Sequence, residues 1–249
     1  MLTILALTAA GFAGGALNAV AGGGTFVTFP LLIWAGAPPV IANATATMTA
    51  VPGYCASAWA FRREIRAEGA LGVRAIIALT ALGGLLGAGL LIFTPASSFV
   101  ALVPWLLLAA TLLFIGAPRL LSLLRARGVG QAGPLVSAVT LLAVAGYGGY
   151  FNGGLGIMLL ALFSMLGFRD LNGMNGLKNL LSVVLSVTAV ATFVVADVIA
   201  WDAALPMSIG NACGAYFASD LARRLDRPRA LRIGIALVGL AMTAIFFLR

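Results

Sequence analysis

Histidine is absent from the 249 residues, and ionisable side chains are scarce: 9% are charged, and only seven are Asp or Glu. An average soluble domain carries roughly a quarter charged residues. Without histidine there is no imidazole base and no common zinc ligand, so histidine catalysis and most zinc chemistry are excluded. The two cysteines, Cys55 and Cys213, are far apart in apolar surroundings and read as small packing residues, neither a disulfide nor a metal pair. No G-x-x-x-x-G-K-[ST] run occurs, and the stretches between apolar segments are too short for a nucleotide-binding domain. What fills the chain instead is apolar: 62% of residues are hydrophobic, and the mean hydropathy is +1.10. Such a composition cannot cover the surface of a soluble globule. An ordinary cytosolic enzyme, a nucleic-acid-binding domain and a disordered tail are excluded, leaving a polytopic membrane protein.

The uncharged stretches make this concrete. No Asp, Glu, Lys or Arg occurs from Met1 to Phe61, from Ala75 to Pro118, or from Gly128 to Phe168. A bilayer-spanning helix needs about 20 apolar residues, so each stretch holds at least two segments. A removable signal peptide is not expected, since the N-terminus lacks a basic region and the apolar pattern continues throughout. The net charge of +8 reflects short basic clusters between apolar segments, the positive-inside pattern, and not a nucleic-acid surface.

Glycines, prolines and charges divide the chain into helices expected at about 3–21, 25–36, 40–61, 70–93 and 99–117, then at about 134–151, 155–168, 171–196, 203–221 and 230–248. The second member of each set is too short to cross a ~30 Å core alone. The two sets resemble one another. Gly14-Gly15-Ala16-Leu17-Asn18 aligns with Gly148-Gly149-Tyr150-Phe151-Asn152; each leads into a glycine cluster, Gly22-Gly23-Gly24 or Gly153-Gly154 with Gly156. Ala42-Asn43-Ala44 matches Met174-Asn175-Gly176, so the repeat distance is about 132–134 residues. The fold class expected is all-α, a transmembrane bundle of two repeats, 1–127 and 128–249, in one membrane domain, each with a glycine-broken helix or re-entrant hairpin.

The basic loops then orient the repeats. Arg62, Arg63 and Arg66 follow the third segment of the first half; the equivalent loop of the second carries only Asp197 and Asp202. The next loop, Thr94 to Ser98, is uncharged, whereas its counterpart holds Arg223, Arg224, Arg227 and Arg229. If each broken pair enters and returns, each half makes an odd number of passes and the halves are inverted. Arg119, Arg125, Arg127 and Arg169 then join the other clusters on the cytoplasmic side, and both termini lie outside.

Inverted repeats with broken helices are a transporter architecture. A break at membrane depth frees backbone groups that only protein or a water-filled cavity can satisfy. The short helices starting near Thr25 and Leu155 would bring electropositive N-terminal ends together near the midplane, where an anion can bind. Gly11-x-x-x-Gly15 and Gly83-x-x-x-Gly87 read as helix-packing pairs. In the segment at 171–196, Asn172, Asn175, Asn179, Ser182 and Ser186 share one face, with Lys178 beside it. In the first half Asn43 and Thr47 lie four apart, with Thr45 and Thr49 adjacent. Ser182, Ser186 and Thr49 read as inter-helix hydrogen bonding; Asn43 and Asn175 suit either that or an oxyanion. Lys178, the single lysine, lies about 10 Å inside its helix at 1.5 Å per residue. A lysine at membrane depth marks a site unless its stem snorkels to the interface. No Asp or Glu sits mid-segment, so no carboxylate for proton or sodium is visible. The substrate-binding set expected is Asn18, Gly22, Gly23, Gly24, Thr25, Asn43, Thr47, Asn152, Gly153, Gly154, Asn175, Lys178 and Asn179, with no catalytic residues, no metal and no cofactor.

The run Gly14-Gly15-Ala16-Leu17-Asn18-Ala19-Val20-Ala21-Gly22-Gly23-Gly24-Thr25, followed by Phe29-Pro30-Leu31-Leu32, resembles the N-terminal signature of the TauE/SafE family of sulfite exporters. The second glycine run and Asn175-Gly176-Leu177-Lys178-Asn179 resemble its repeated motif, although Asn152-Gly153-Gly154 stands where a fuller glycine run would be expected. The resemblance implies transport, named for export, of sulfur oxyanions or organosulfonates such as sulfite and sulfoacetate across a bacterial inner membrane. An anion channel and a carrier of another small organic anion are the competing expectations; an intramembrane enzyme lacks its nucleophile and base. Expected partners are a small anion and the lipid bilayer, not nucleic acid. A homodimer and coupling to a proton or to sodium are left open.

Overall fold

The computed structural model describes residues 2–126, 133–168, 170–224 and individual positions between 233 and 248. Among them the chain is all-helical, with no strand, as the apolar runs predict. The helices are α1 (Leu2–Ala21), α2 (Thr25–Trp34), α3 (Pro39–Ala60), α4 (Val73–Phe93), α5 (Ala96–Ala126), α6 (Pro134–Tyr150), α7 (Leu155–Met165), α8 (Leu171–Val195) and α9 (Trp201–Arg224). The helix expected at about 230–248 falls mostly outside the described residues, as do Arg127, Arg169, Arg227 and Arg229.

Three stretches, Val73–Phe93, Ala96–Leu113 and Gly173–Val195, are long and apolar enough to cross a bilayer. On α4, Leu82, Leu85, Leu86, Leu90 and Phe93 are exposed at helical spacing, a greasy stripe suited to acyl chains. The α5 helix runs past the expected end near 117, carrying Pro118 within it. Proline removes only one backbone donor, and a helix of 31 residues, about 46 Å at 1.5 Å each, continues beyond a ~30 Å apolar core to Arg119.

Helices α2 and α7, with 10 and 11 residues, reach only about half of that depth. Both stop in the same way. After α2, Gly36 (φ +93°) turns the chain, and the Ala37 N–H closes onto Leu32 O at 3.0 Å. After α7, Gly167 (φ +88°) does so, and the Phe168 N–H closes onto Phe163 O at 2.9 Å. These are Schellman caps, in which a left-handed residue reaches back over the last turn.

Glycine sets the packing. Gly11 and Gly15 of α1 lie on the backbone of Met207 and Asn211, while Gly210 and Gly214 of α9 lie on that of Thr8 and Phe12. Gly83 and Gly87 of α4 lie likewise against Ala145 and Gly146 of α6, as the spaced glycines predict. Most of the packing pattern is kept when α1–α4 are exchanged with α6–α9. Thus α1 on α9 becomes α6 on α4, α3 on α9 becomes α8 on α4, α2 on α3 becomes α7 on α8, and the pairing of α3 with α8 maps onto itself.

Candidate functional site

Both glycine clusters interrupt a helix. At the first, the Gly22 N–H ends α1 by bonding Leu17 O at 3.0 Å, with φ at +73°. The Gly24 N–H donates to Oδ1 of the buried Asn18 at 2.7 Å. The tip of α2 is therefore not left open as expected from the sequence: a side chain of the preceding turn already takes one of its N–H groups. Thr25, in the first turn of α2, is buried, and Gly23 lies between the two bonded glycines.

At the second break, Gly154 (φ +76°) precedes α7 and packs against Ala110 of α5. The freed carbonyls find side chains. Tyr150 O accepts from Nδ2 of Asn43 at 2.9 Å, and Gly153 O from the Tyr147 hydroxyl at 2.8 Å. Asn152 is fully buried; its Nδ2 donates to Ser186 Oγ at 3.3 Å and its Oδ1 faces the Tyr54 hydroxyl at 3.5 Å. Asn43 thus carries a structural duty across the two halves, while its Oδ1 has no hydrogen-bond partner.

The two breaks touch. A Cβ built on Gly22 would stand 2.8 Å from Gly156 Cα, and the converse holds at the same distance. Beside this junction runs Lys178, whose Cδ would be 3.4 Å from a Cβ on Gly156. Lys178 is 1% exposed, so its stem does not reach the interface. Its Nζ has no hydrogen-bond partner, nor does either side-chain atom of Asn179 or the Ser182 hydroxyl. All three residues are buried on one side of α8. An unsatisfied buried polar group costs about 1–3 kcal/mol, and more if charged, so such a cluster calls for a ligand.

The remaining expected residues divide. Thr47 donates to Asn43 O within its own helix at 2.9 Å, and Thr49 likewise to Ala46 O at 2.8 Å. Asn175 lies nearer the start of α8 and is only half-buried; the adjoining Gly176 packs on Phe61 O and Ile65 of the loop after α3. That loop is tied to the start of α8 by Arg66 Nη2 and Asp170 Oδ2 at 2.6 Å, and Asp170 caps α8 through the Gly173 N–H at 3.1 Å. Ser186 accepts from Asn152, as expected of an inter-helix bond, but Ser182 makes none. Cys55 and Cys213 are free and exposed, so the packing role expected for them does not hold. Among the described residues no group of His, Cys, Asp and Glu could hold a metal.

Asn211 is the residue that sequence reasoning missed. It is fully buried in α9 with neither side-chain atom bonded. Its Nδ2 would stand 3.6 Å from a Cβ on Gly14, beside Gly24 O and Thr28 at the first break. The available signal was an amide between Gly210 and Gly214 in an apolar helix.

Comparison with known proteins places the chain in a family. The family model "Sulfite exporter TauE/SafE" matches residues 7–246. A protein of Haemophilus influenzae named "Probable membrane transporter protein" is 28% identical over 237 residues, 94% of this chain and 90% of that one. The "Probable membrane transporter protein ORF9" of Sinorhizobium sp is 30% identical over 243 residues, 93% of this chain and 89% of that one. No solved structure matches. With a whole-chain family match laid over paired helix breaks, the chain belongs to the TauE/SafE sulfite exporter family of membrane transporters.

Proposed function

We propose that the chain is a secondary carrier that moves a small sulfur oxyanion or organosulfonate outward across a bacterial inner membrane. The anion sits beside Lys178, near the junction of the two breaks, and the repeats 1–127 and 128–249 expose it alternately to the two sides. One observation carries this reading: a fully buried ammonium without a partner, next to the unpartnered Asn179 and Ser182, where Gly22 meets Gly156. A lysine in that position needs a counter-charge, and among the described residues the one buried, unbonded carboxylate oxygen, Oε2 of the part-buried Glu64, belongs to the loop after α3. A small oxyanion supplies that charge and accepts from the amide and hydroxyl as well. The exchangeable packing of α1–α4 and α6–α9 and the swapped basic loops support two inverted repeats. The family description supports the sulfur class.

The test is counterflow of labelled sulfite into proteoliposomes preloaded with unlabelled sulfite. Saturable exchange, abolished in Lys178→Gln protein that still elutes as a folded species, is expected. Non-saturating flux or single-channel currents would turn the reading toward a pore; exchange intact in Lys178→Gln would remove Lys178 from the site.

A further inference from the structure

Resting on that reading, we infer that the site accepts singly charged oxyanions and turns away doubly charged ones of similar size. The charge of the buried groups sets the choice. Lys178 is the only charged side chain buried among the described residues. Arg62, Arg63, Arg66, Arg74 and Arg119 are all exposed. The other unpartnered groups near Lys178, Asn179 and Ser182, are neutral. Neutral dipoles solvate a charge without cancelling it. A monoanion beside Lys178 makes a neutral pair, whereas a dianion leaves one uncompensated negative charge in a low-dielectric interior.

The helix ends contribute partial charges only. Each break joins the C-terminal end of one helix, α1 or α6, to the N-terminal end of the next, α2 or α7, so opposite partial charges abut. Asn18 already takes the Gly24 N–H, and the Asp170 carboxylate sits at the start of α8. Hydrogensulfite and simple alkylsulfonates fit; sulfate, the sulfite dianion and a sulfonate that also bears a carboxylate do not.

The experiment is competition against labelled-sulfite counterflow in wild-type proteoliposomes at one fixed pH. Methanesulfonate and nitrate serve as monoanions; sulfate and ethane-1,2-disulfonate serve as dianions. The monoanions are expected to inhibit at concentrations at least tenfold lower. Ser182→Lys, which adds a second cation one turn from Lys178, is expected to narrow or reverse that ratio. A second buried lysine can unfold the bundle, so the wild-type ratio decides by itself. Equal or stronger inhibition by the dianions, or no inhibition by either set, while exchange stays dependent on Lys178, overturns the valence rule and leaves the carrier standing. Absence of any labelled-sulfite exchange overturns the carrier and the valence rule together.

Discussion

Replacing Lys178 by methionine should make the protein more stable and inactive at once. Insertion scales place lysine at a helix centre about 2.5–3.5 kcal/mol uphill and leucine about 0.3–0.6 kcal/mol downhill, a gross difference of about 3–4 kcal/mol for an apolar replacement. In the folded chain no hydrogen bond from Nζ offsets that burden. Substituting apolar side chains for buried charges yields about 1–4 kcal/mol in soluble proteins. A gain of about 1–3 kcal/mol is therefore expected, since methionine keeps the stem that passes Gly156. Thermal unfolding in detergent, followed by the fluorescence of the four tryptophans, measures it. The same melts carry a second readout. A ligand present at 100 times its Kd stabilises by about 2.7 kcal/mol, so sulfite should raise the wild-type melting point and leave Lys178→Met unmoved. Labelled-sulfite exchange should fall at least ~100-fold, the scale expected when the anion loses a charge-assisted hydrogen bond. A variant that is both inactive and less stable would refute the reasoning, because it would give Lys178 a structural partner. A variant that still responds to sulfite would refute it from the other side.

Gly22→Ala meets two penalties, about 1–2 kcal/mol for a side chain at φ +73° and an overlap 2.8 Å from Gly156 Cα, whereas Gly36→Ala (φ +93°) meets only the first, having nothing within 4 Å. Melts should rank Gly22→Ala as clearly the more damaging, and equal losses would mean that the junction is loosely packed. Asn18→Ala should cost about 1–2 kcal/mol for removal of the bond to the Gly24 N–H, and Asn18→Asp, which retains an acceptor, should recover most of it. Asn211→Ala removes an amide with no protein partner, so stability should change by less than about 1 kcal/mol in the same assay; a larger loss would mean an interhelical bond that this geometry does not contain.

The helices and their breaks were legible because lipid leaves the chain few choices. Runs without charge must be helical, and Gly22-Gly23-Gly24 cannot continue one. Pro118 pointed to too early an end for α5, since a proline that stops a soluble helix is tolerated where neighbours satisfy the freed carbonyl. The shared face of α8 was legible from its spacing of three and four, but depth was not. Periodicity put Asn175 and Asn179 on one stripe, yet Asn175, next to the Gly176 on which the loop after α3 packs, is half-buried while Asn179 is sealed. The bond from Asn43 to Tyr150 O spans 107 residues of sequence and follows from how α3 meets the end of α6. Asn211 carried no periodic signal because it stands alone.

The asymmetry of the two halves has its own physical reason. At a separation of 132 residues, Lys178 corresponds to Ala46, Asn179 to Thr47 and Ser182 to Ala50. Helices α3 and α8 pack on each other, and Gly22 of the first break touches Gly156 in the first turn of α7. Because α3 packs on α8, equivalent helices of the two halves face each other. Backbone packing tolerates that, since glycine against glycine serves both halves equally. A charge does not: ammonium groups about 6 Å apart would repel by about 3 kcal/mol at an effective dielectric of 20, on top of desolvating both. A repeated frame can therefore hold a lysine at this position in one copy only, and the other copy must be small and neutral, as Ala46 is. The broken helices come in pairs because shape can be duplicated; the cation is single because charge at the meeting point cannot. A single cation is also what limits the cargo to one negative charge.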